Sequence, residues 1–273
     1  MSRSGFYRWH TRPSPCAHEH EDRALAVQIR EIHTASRGTY GSPRVHRQLR
    51  RNDVRTGKKR VERLMREQGL RGRVRRRFKR TTDSNHSLPV APNRLNRQFD
   101  VDAPDRVWAG DITYIRTTTG WSYLAVILDL HSRMVVGWAM ADHMRAQLVE
   151  GALDAALGAR EPAPGLLHHS DRGSQYASER YRERLTEYGI AVSMSRRGNC
   201  YDNAVVESFF GTLKQELAHH AQWMDQAQAR AEIHDYIEVF YNRKRLHSSL
   251  GYKTPSEVDQ EAAQSSWNSL NKL

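Results

Sequence analysis

Three carboxylates have the type and placement to act together, and the first sits where a charge is costly unless it is paired, hydrogen-bonded or bound to a metal. Asp111 interrupts a half-buried run, Trp108-Ala109-Gly110-Asp111-Ile112-Thr113-Tyr114. Asp171 lies just beyond a short strand, in His168-His169-Ser170-Asp171-Arg172-Gly173-Ser174-Gln175-Tyr176. Glu207 falls in the first turns of a helix, in Asp202-Asn203-Ala204-Val205-Val206-Glu207-Ser208-Phe209-Phe210. Acids from two strands and a helix can hold two divalent ions about 3.5–4 Å apart, one activating an attacking oxygen and one stabilising a leaving oxygen. Hard oxygen ligands and phosphate chemistry suit Mg²⁺. Lys214 comes seven residues after Glu207, two turns on along the same helix face, where an ammonium can reach a phosphate. Asp129 and Asp202 compete for the same role, and spacing alone leaves the choice open.

The elements that must position these acids are legible from periodicity. Val107 to Ile115 and Trp121 to Leu130 read as strands joined by a Thr118-Thr119-Gly120 turn, with Arg133 to Met140 as a third strand. A helix over 143–159 stops at Pro162 and Pro164. Leu166 to His169 is a fourth strand, Ser178 to Tyr188 a helix ended by Gly189, and Ile190 to Met194 a fifth strand. Helices follow from Asn203 to about His219 and from Ala227 to Tyr241. Three meandering strands followed by alternating helix and strand make an α/β domain with a mixed sheet, an order that suits a ribonuclease-H-like core. The 35 residues between Asp171 and Glu207 are enough to return the chain to the same sheet edge, and strand ends are where such sheets gather their sites.

Ahead of this core the texture is helical and basic. The 273 residues carry 43 Lys+Arg against 31 Asp+Glu, a net charge of +12, yet residues 1–100 alone hold +16 and the rest −4. Such asymmetry points to a polyanion, nucleic acid before an anionic membrane. Glu21 to His33 is apolar on one face through Leu25, Ile29 and Ile32. Ser42-Pro43 opens a second helix through Val45 and Leu49, with Ser42 as its cap, and Asn52-Asp53 breaks it. Thr56 caps a third, with Val61, Leu64 and Met65 inside, closed by Gly69. Lys58, Lys59, Arg60, Arg63 and Arg66 ring its outer surface, which reads as a helix-turn-helix with a phosphate-contacting second helix. The basic run continues through Arg71, Arg73, Arg75, Arg76, Arg77, Lys79 and Arg80. The expected division is an all-α DNA-binding region over 1–80, a linker over 81–99, the catalytic core over 100–220 and a helical extension over 221–273.

Several classes fall away. The longest apolar run, Leu124 to Leu128, cannot span a bilayer, which takes about 20 residues. The first residues lack a signal-peptide core, and Cys16 and Cys200 make no disulfide framework. A reducing cytoplasm, at the nucleoid, is the expected location. His18 and His20 near Cys16 lack the second cysteine pair that a zinc finger needs.

The wording around the acids resembles the three catalytic blocks of OrfB-type transposases of bacterial insertion sequences, whose core is of the integrase type. The blocks are Gly110-Asp111-Ile112-Thr113-Tyr114-Ile115, His169-Ser170-Asp171-Arg172-Gly173-Ser174-Gln175-Tyr176 and Asn203-Ala204-Val205-Val206-Glu207-Ser208-Phe209-Phe210. Tyr241-Asn242-Arg243-Lys244-Arg245-Leu246-His247-Ser248-Ser249-Leu250-Gly251-Tyr252 is similar to the group's closing motif, and Gly41 through Leu70 to its helix-turn-helix. The resemblance spans roughly residues 20–260. It implies a ribonuclease-H-like fold with Asp111, Asp171 and Glu207 as catalytic metal ligands, Lys214 as the basic helix residue, and Mg²⁺ or Mn²⁺ as cofactor, two ions per site. It implies double-stranded DNA as substrate, both element ends and target, cut and then joined by a freed 3′-hydroxyl. It implies a homo-multimer on DNA. Chains of this group commonly carry residues ahead of the Ser2 to Trp9 stretch and act fused, by frameshifting, to a small upstream DNA-binding protein. Met1 as an internal start and an upstream partner are the matching expectations here.

Beside the acids, Arg196 and Arg197 in Ser195-Arg196-Arg197-Gly198-Asn199-Cys200 are placed to grip a DNA strand, with solvated arginines as the equal alternative. Gln175 and Tyr176 shape the loop of the second block, His168 and His169 are structural, and Trp108, Trp121 and Trp138 belong to the core. Thr254-Pro255-Ser256-Glu257 is a capping box. Two other functions stay open at this point: a DNA-binding regulator that does not cut, and a tyrosine recombinase built on Tyr241 with Arg243, Arg245 and His247.

Overall fold

The computed structural model describes residues 2–10, 17–73, 88–197 and 199–270. The chain divides into two units, Met1–Val74 and Arg75–Leu273. The first holds α1 (Arg3–His10), α2 (Ala17–Ala35), α3 (Ser42–Arg51) and α4 (Lys58–Glu67). Leu25, Ile29 and Ile32, Val45 and Leu49, and Val61, Leu64 and Met65 form its interior, as the helical period selects. Asp53 and Gly69 take the left-handed backbone that ends α3 and α4. Both expected caps shift by one residue. Gly41 precedes α3, leaving Ser42 inside the helix, and Gly57 precedes α4. Thr56 stays outside because its carbonyl is bound to His46 Nε2 at 3.0 Å. Arg75, Arg76, Arg77, Lys79 and Arg80, with residues 81–87 of the expected linker, lie outside the described residues.

The second unit is built on a five-stranded sheet of order β3-β2-β1-β4-β5, with β1 Val107–Thr117, β2 Gly120–Asp129, β3 Val135–Ala141, β4 Leu167–Ser170 and β5 Ala191–Met194. The first three strands pair antiparallel, and β4 and β5 run parallel to β1. This is the mixed, ribonuclease-H-like sheet expected from the strand spacing. The helices are α5 (Ala146–Arg160), α6 (Ser174–Ala177), α7 (Glu179–Glu187), α8 (Ala204–Leu213), α9 (Gln226–His234) and α10 (Pro255–Leu270). α8 and α9 each run on into a wider π turn, Lys214–Ala218 and Asp235–Tyr241.

α5 lies on the sheet so closely that β3 needs glycine at Gly137, since a Cβ there would run into the Ala152 carbonyl oxygen and the Ala156 backbone. Trp108, Ile127, Leu153, Leu157, Tyr181 and Leu185 fill the interface. Both outer strands are covered by side-chain chemistry that occupies their backbone or flank. On β3, the Asn242 amide donates to the Val135 carbonyl and accepts from the Val135 N–H, both at 3.0 Å. On β5, Ser193 Oγ accepts from the backbone N–H groups of Arg94 and Leu95. Residues 93–97 pack against the sheet, with Leu95 buried, and Trp223, Phe240 and Asn242 of the helical extension are buried in the unit's interior.

Candidate active site

β1 and β4 bring the two aspartates together. Their pairing ends with Ala109 opposite His169, and each acid comes two residues later, on strands spaced about 4.8 Å apart. Asp171 Oδ1 accepts from the Gly173 N–H at 2.8 Å and Asp111 Oδ1 from the Ile112 N–H at 2.8 Å. α8 packs against β1 and carries Glu207 in its first turn, where the helix dipole favours an acid. Burial raises the Asp111 pKa well above the usual carboxylate range; the charges of Asp171 and then Glu207 push the same way, while the Ile112 N–H and Lys214 oppose. The Lys214 pKa is lowered by burial, against the pull of Asp111. Lys214 thus follows Glu207 by two turns of α8, at the point where the helix passes into the π turn.

Among the described residues no three His, Cys, Asp or Glu side chains form a ready-made metal cage. The donor set nonetheless fits a hard divalent cation: the three acids offer only oxygens, and Asp111 resists ionisation because of burial and its acidic neighbours. A cation offsets both penalties. The competing acids are occupied elsewhere. Asp129 accepts from Ser132 N–H, Ser132 Oγ and Asp105 N–H and organises the turn after β2. Asp202, fully buried, accepts from Asn93, Arg97 and Arg196. The side chain of Arg196, above all, holds the Asp202 carboxyl far below the usual range.

The surrounding shell is neutral and fixed. Ser193 Oγ receives two backbone N–H groups, so its own hydrogen goes to His169 Nδ1 at 2.8 Å. His169 then carries its hydrogen on Nε2, donated to Ser195 Oγ at 3.2 Å, and Ser195 donates to the Ser170 carbonyl. Burial lowers the His169 pKa to about 4 and the His168 pKa to about 3. Both histidines are structural. Gln175 Nε2 donates to the Met144 carbonyl at 2.8 Å, tying down the loop after Asp171, and Tyr176 is buried, its pKa raised by burial and by the charge of Asp111.

The basic residues separate into two groups. Arg60 and Arg63 both donate to Asp22 of α2, at 2.6 and 2.5 Å. Lys58 and Lys59 are exposed on the same helix. In the loop after β5, Arg196 is bound to Asp202, while Arg197 is exposed. Trp108 is core and Trp138 donates to Glu238, whereas Trp121 is 56% exposed, contrary to its expected place in the core, because it sits at the hairpin tip. Tyr241 is buried against Phe209 and His247, and Arg245 is buried against Glu216 at 2.8 Å. A recombinase nucleophile there has no access to DNA.

Sequence reading missed three contributions. Glu216, Tyr236 and Arg245 form a buried cluster that braces the π turn after α8; its sequence trace was the closing motif. Asp202 ties residues 93–97 to the loop after β5. Asn203 reaches the Gly110 carbonyl at 3.2 Å.

A mixed sheet of this order, with helices packed on it and two aspartates at adjacent parallel strand ends, is the architecture of an integrase-type core. Models described as integrase core domain match residues 101–200 and 188–255, and one described as HTH-like domain matches residues 19–78. The chain is 45% identical over 256 residues to the insertion element IS600 uncharacterized 31 kDa protein of Shigella sonnei, covering 94% of each chain. It is 40% identical to the transposase InsF for insertion sequence IS3A of Escherichia coli, covering 96% of this chain and 91% of that one. The catalytic core domain of BIV integrase aligns with 60% of this chain and 99% of its own, at a TM-score of 0.45 and 20% identity. The chain belongs to the IS3-family insertion-sequence transposases.

Proposed function

We propose that this protein transposes DNA as a metal-dependent strand transferase, with Asp111, Asp171 and Glu207 as ligands for Mg²⁺ or Mn²⁺, two ions per site. The observation that carries the reading is the level placement of Asp111 and Asp171 on adjacent parallel strands. When bound, the ions activate the attacking oxygen and stabilise the leaving one. The protein's own residues supply the rest. Asp111 and Asp171 are oriented by backbone N–H groups, Glu207 is carried in from α8, and Lys214 balances charge beside Asp111. Water, then the freed 3′-hydroxyl, attacks a phosphodiester in line, and no covalent protein–DNA link forms. Lys58, Lys59 and Arg197 contact phosphates, while Arg60, Arg63 and Arg196 mainly brace the fold through Asp22 and Asp202. Element ends and target are double-stranded DNA in the cytoplasm, at the nucleoid, held by a multimer and aided by a small upstream DNA-binding protein.

The test is nicking of labelled duplexes taken from the DNA flanking the gene, comparing Mg²⁺ with Ca²⁺ and wild type with Asp171→Asn. The expected result is cleavage leaving a 3′-hydroxyl, lost with Ca²⁺ and in the variant. Cleavage that persists in Asp171→Asn overturns the assignment. Salt-sensitive binding with no cleavage, with the upstream partner supplied, favours a regulator.

A further inference from the structure

Asn203 stands one helical turn ahead of Glu207 and is 4% exposed. Its Nδ2 donates at 3.2 Å to the carbonyl of Gly110, the residue before Asp111. That carbonyl comes one residue past the last pair of the β1–β4 ladder. The strand is tightly held at this point, since even a Cβ on Gly110 would stand 3.1 Å from His168 Nε2. The bond therefore links the helix of the third acid to the strand of the first, one residue from Asp111 and four from Glu207. The other end of the amide, Asn203 Oδ1, is buried without a hydrogen-bond partner. Folding penalises an orphaned acceptor, so a side chain kept for packing alone gains nothing from being an amide here.

We infer that Asn203 is a positioning residue, whose amide sets the separation of Asp111 and Glu207 and thereby the affinity of the acid cluster for a divalent cation. This rests on the metal reading above. Ligands held in register need no rearrangement on binding, and losing an outer partner of a ligand set typically costs about 10–100-fold in metal affinity.

The experiment is Mn²⁺ binding to the full chain without DNA, followed by loss of the free-ion electron paramagnetic resonance signal. Asn203→Ala is expected to weaken binding about tenfold or more. Asn242→Ala, which removes an amide clamp of the same kind from β3, is expected to lower the melting temperature and leave Mn²⁺ affinity unchanged. Asn203→Ser, too short to reach the Gly110 carbonyl, carries the same expectation as Asn203→Ala if the alanine variant does not melt cooperatively. Wild-type affinity in the Asn203 variants, or equal loss in Asn242→Ala, overturns the inference while a loss in Asp171→Asn leaves the metal reading standing. Mn²⁺ binding that Asp171→Asn does not weaken removes the metal reading and this inference with it.

Discussion

The buried pair of Arg245 and Glu216 allows a magnitude to be set on the closing segment. Their side chains are 6% and 4% exposed. Arg245 Nε and Nη2 both donate to the Glu216 carboxylate, at 2.8 to 3.1 Å, and Tyr236 Oη donates to it at 2.8 Å. Arg245→Ala leaves that carboxylate buried with the tyrosine as its main remaining donor, and opens a void. Breaking one side of a buried pair costs about 3–5 kcal/mol. At roughly 2–4 °C per kcal/mol for a unit of this size, the melting temperature falls by roughly 6–20 °C. The assay is thermal melting followed by tryptophan fluorescence, to which Trp108, Trp138 and Trp223 of this unit contribute. Replacing both partners with apolar residues, as in Arg245→Met with Glu216→Leu, is expected to recover much of the loss, because no charge is left unpaired; the Tyr236 hydroxyl then accounts for the remainder. A melting temperature for Arg245→Ala within about 2 °C of wild type would mean under about 1 kcal/mol, and refutes the reasoning.

Gly137→Ala is expected to destabilise the catalytic unit by about 1–3 kcal/mol or more, since the new methyl meets the α5 backbone at Ala152 and Ala156; an unchanged urea midpoint contradicts this. His168 and His169, held neutral with pKa values lowered to about 3 and about 4, take up protons at about pH 6.5 only once unfolded. Stability is thus level above about pH 6.5 and falls as pH drops from there toward 4, because the unfolded chain binds the extra protons; urea unfolding from pH 7.5 to 4.5 that stays flat rules this out. Asp22→Asn loosens Arg60 and Arg63 from α2 and is expected to raise DNA affinity at low salt and to steepen its salt dependence. An unaltered slope in a salt titration would show that these arginines never reach phosphate.

Sequence periodicity located the five strands as apolar runs bounded by turn residues, continuous in β2, and helices such as α2 by the one apolar face that carries Leu25, Ile29 and Ile32. The three acids were legible for a different reason: Asp111 is a charge inside an otherwise apolar strand, and the wording around all three is specific. What escaped the sequence is interaction between distant residues. The pairing of Arg245 with Glu216 spans 29 positions and that of Arg97 with Asp202 spans 105, and no local pattern distinguishes such residues from solvated ones. Arg60 and Arg63 look like any basic helix face until Asp22, some 40 residues earlier, is seen beneath them. The π turn at Lys214 was equally hidden, because its sequence, Lys214-Gln215-Glu216-Leu217-Ala218, is ordinary helix former.

The order of the acids along the chain has a consequence for synthesis. The antiparallel strands that carry Asp111 pair with near neighbours and are complete by residue 141, whereas Asp171 arrives with β4, Glu207 with α8, and the Arg245 brace later still. A ribosome-bound or prematurely ended chain can therefore assemble its N-terminal helices, which belong to the separate unit Met1–Val74, long before its acid cluster exists. If those helices hold DNA as proposed above, early products of translation occupy it without breaking it, and an incomplete molecule competes with the finished one.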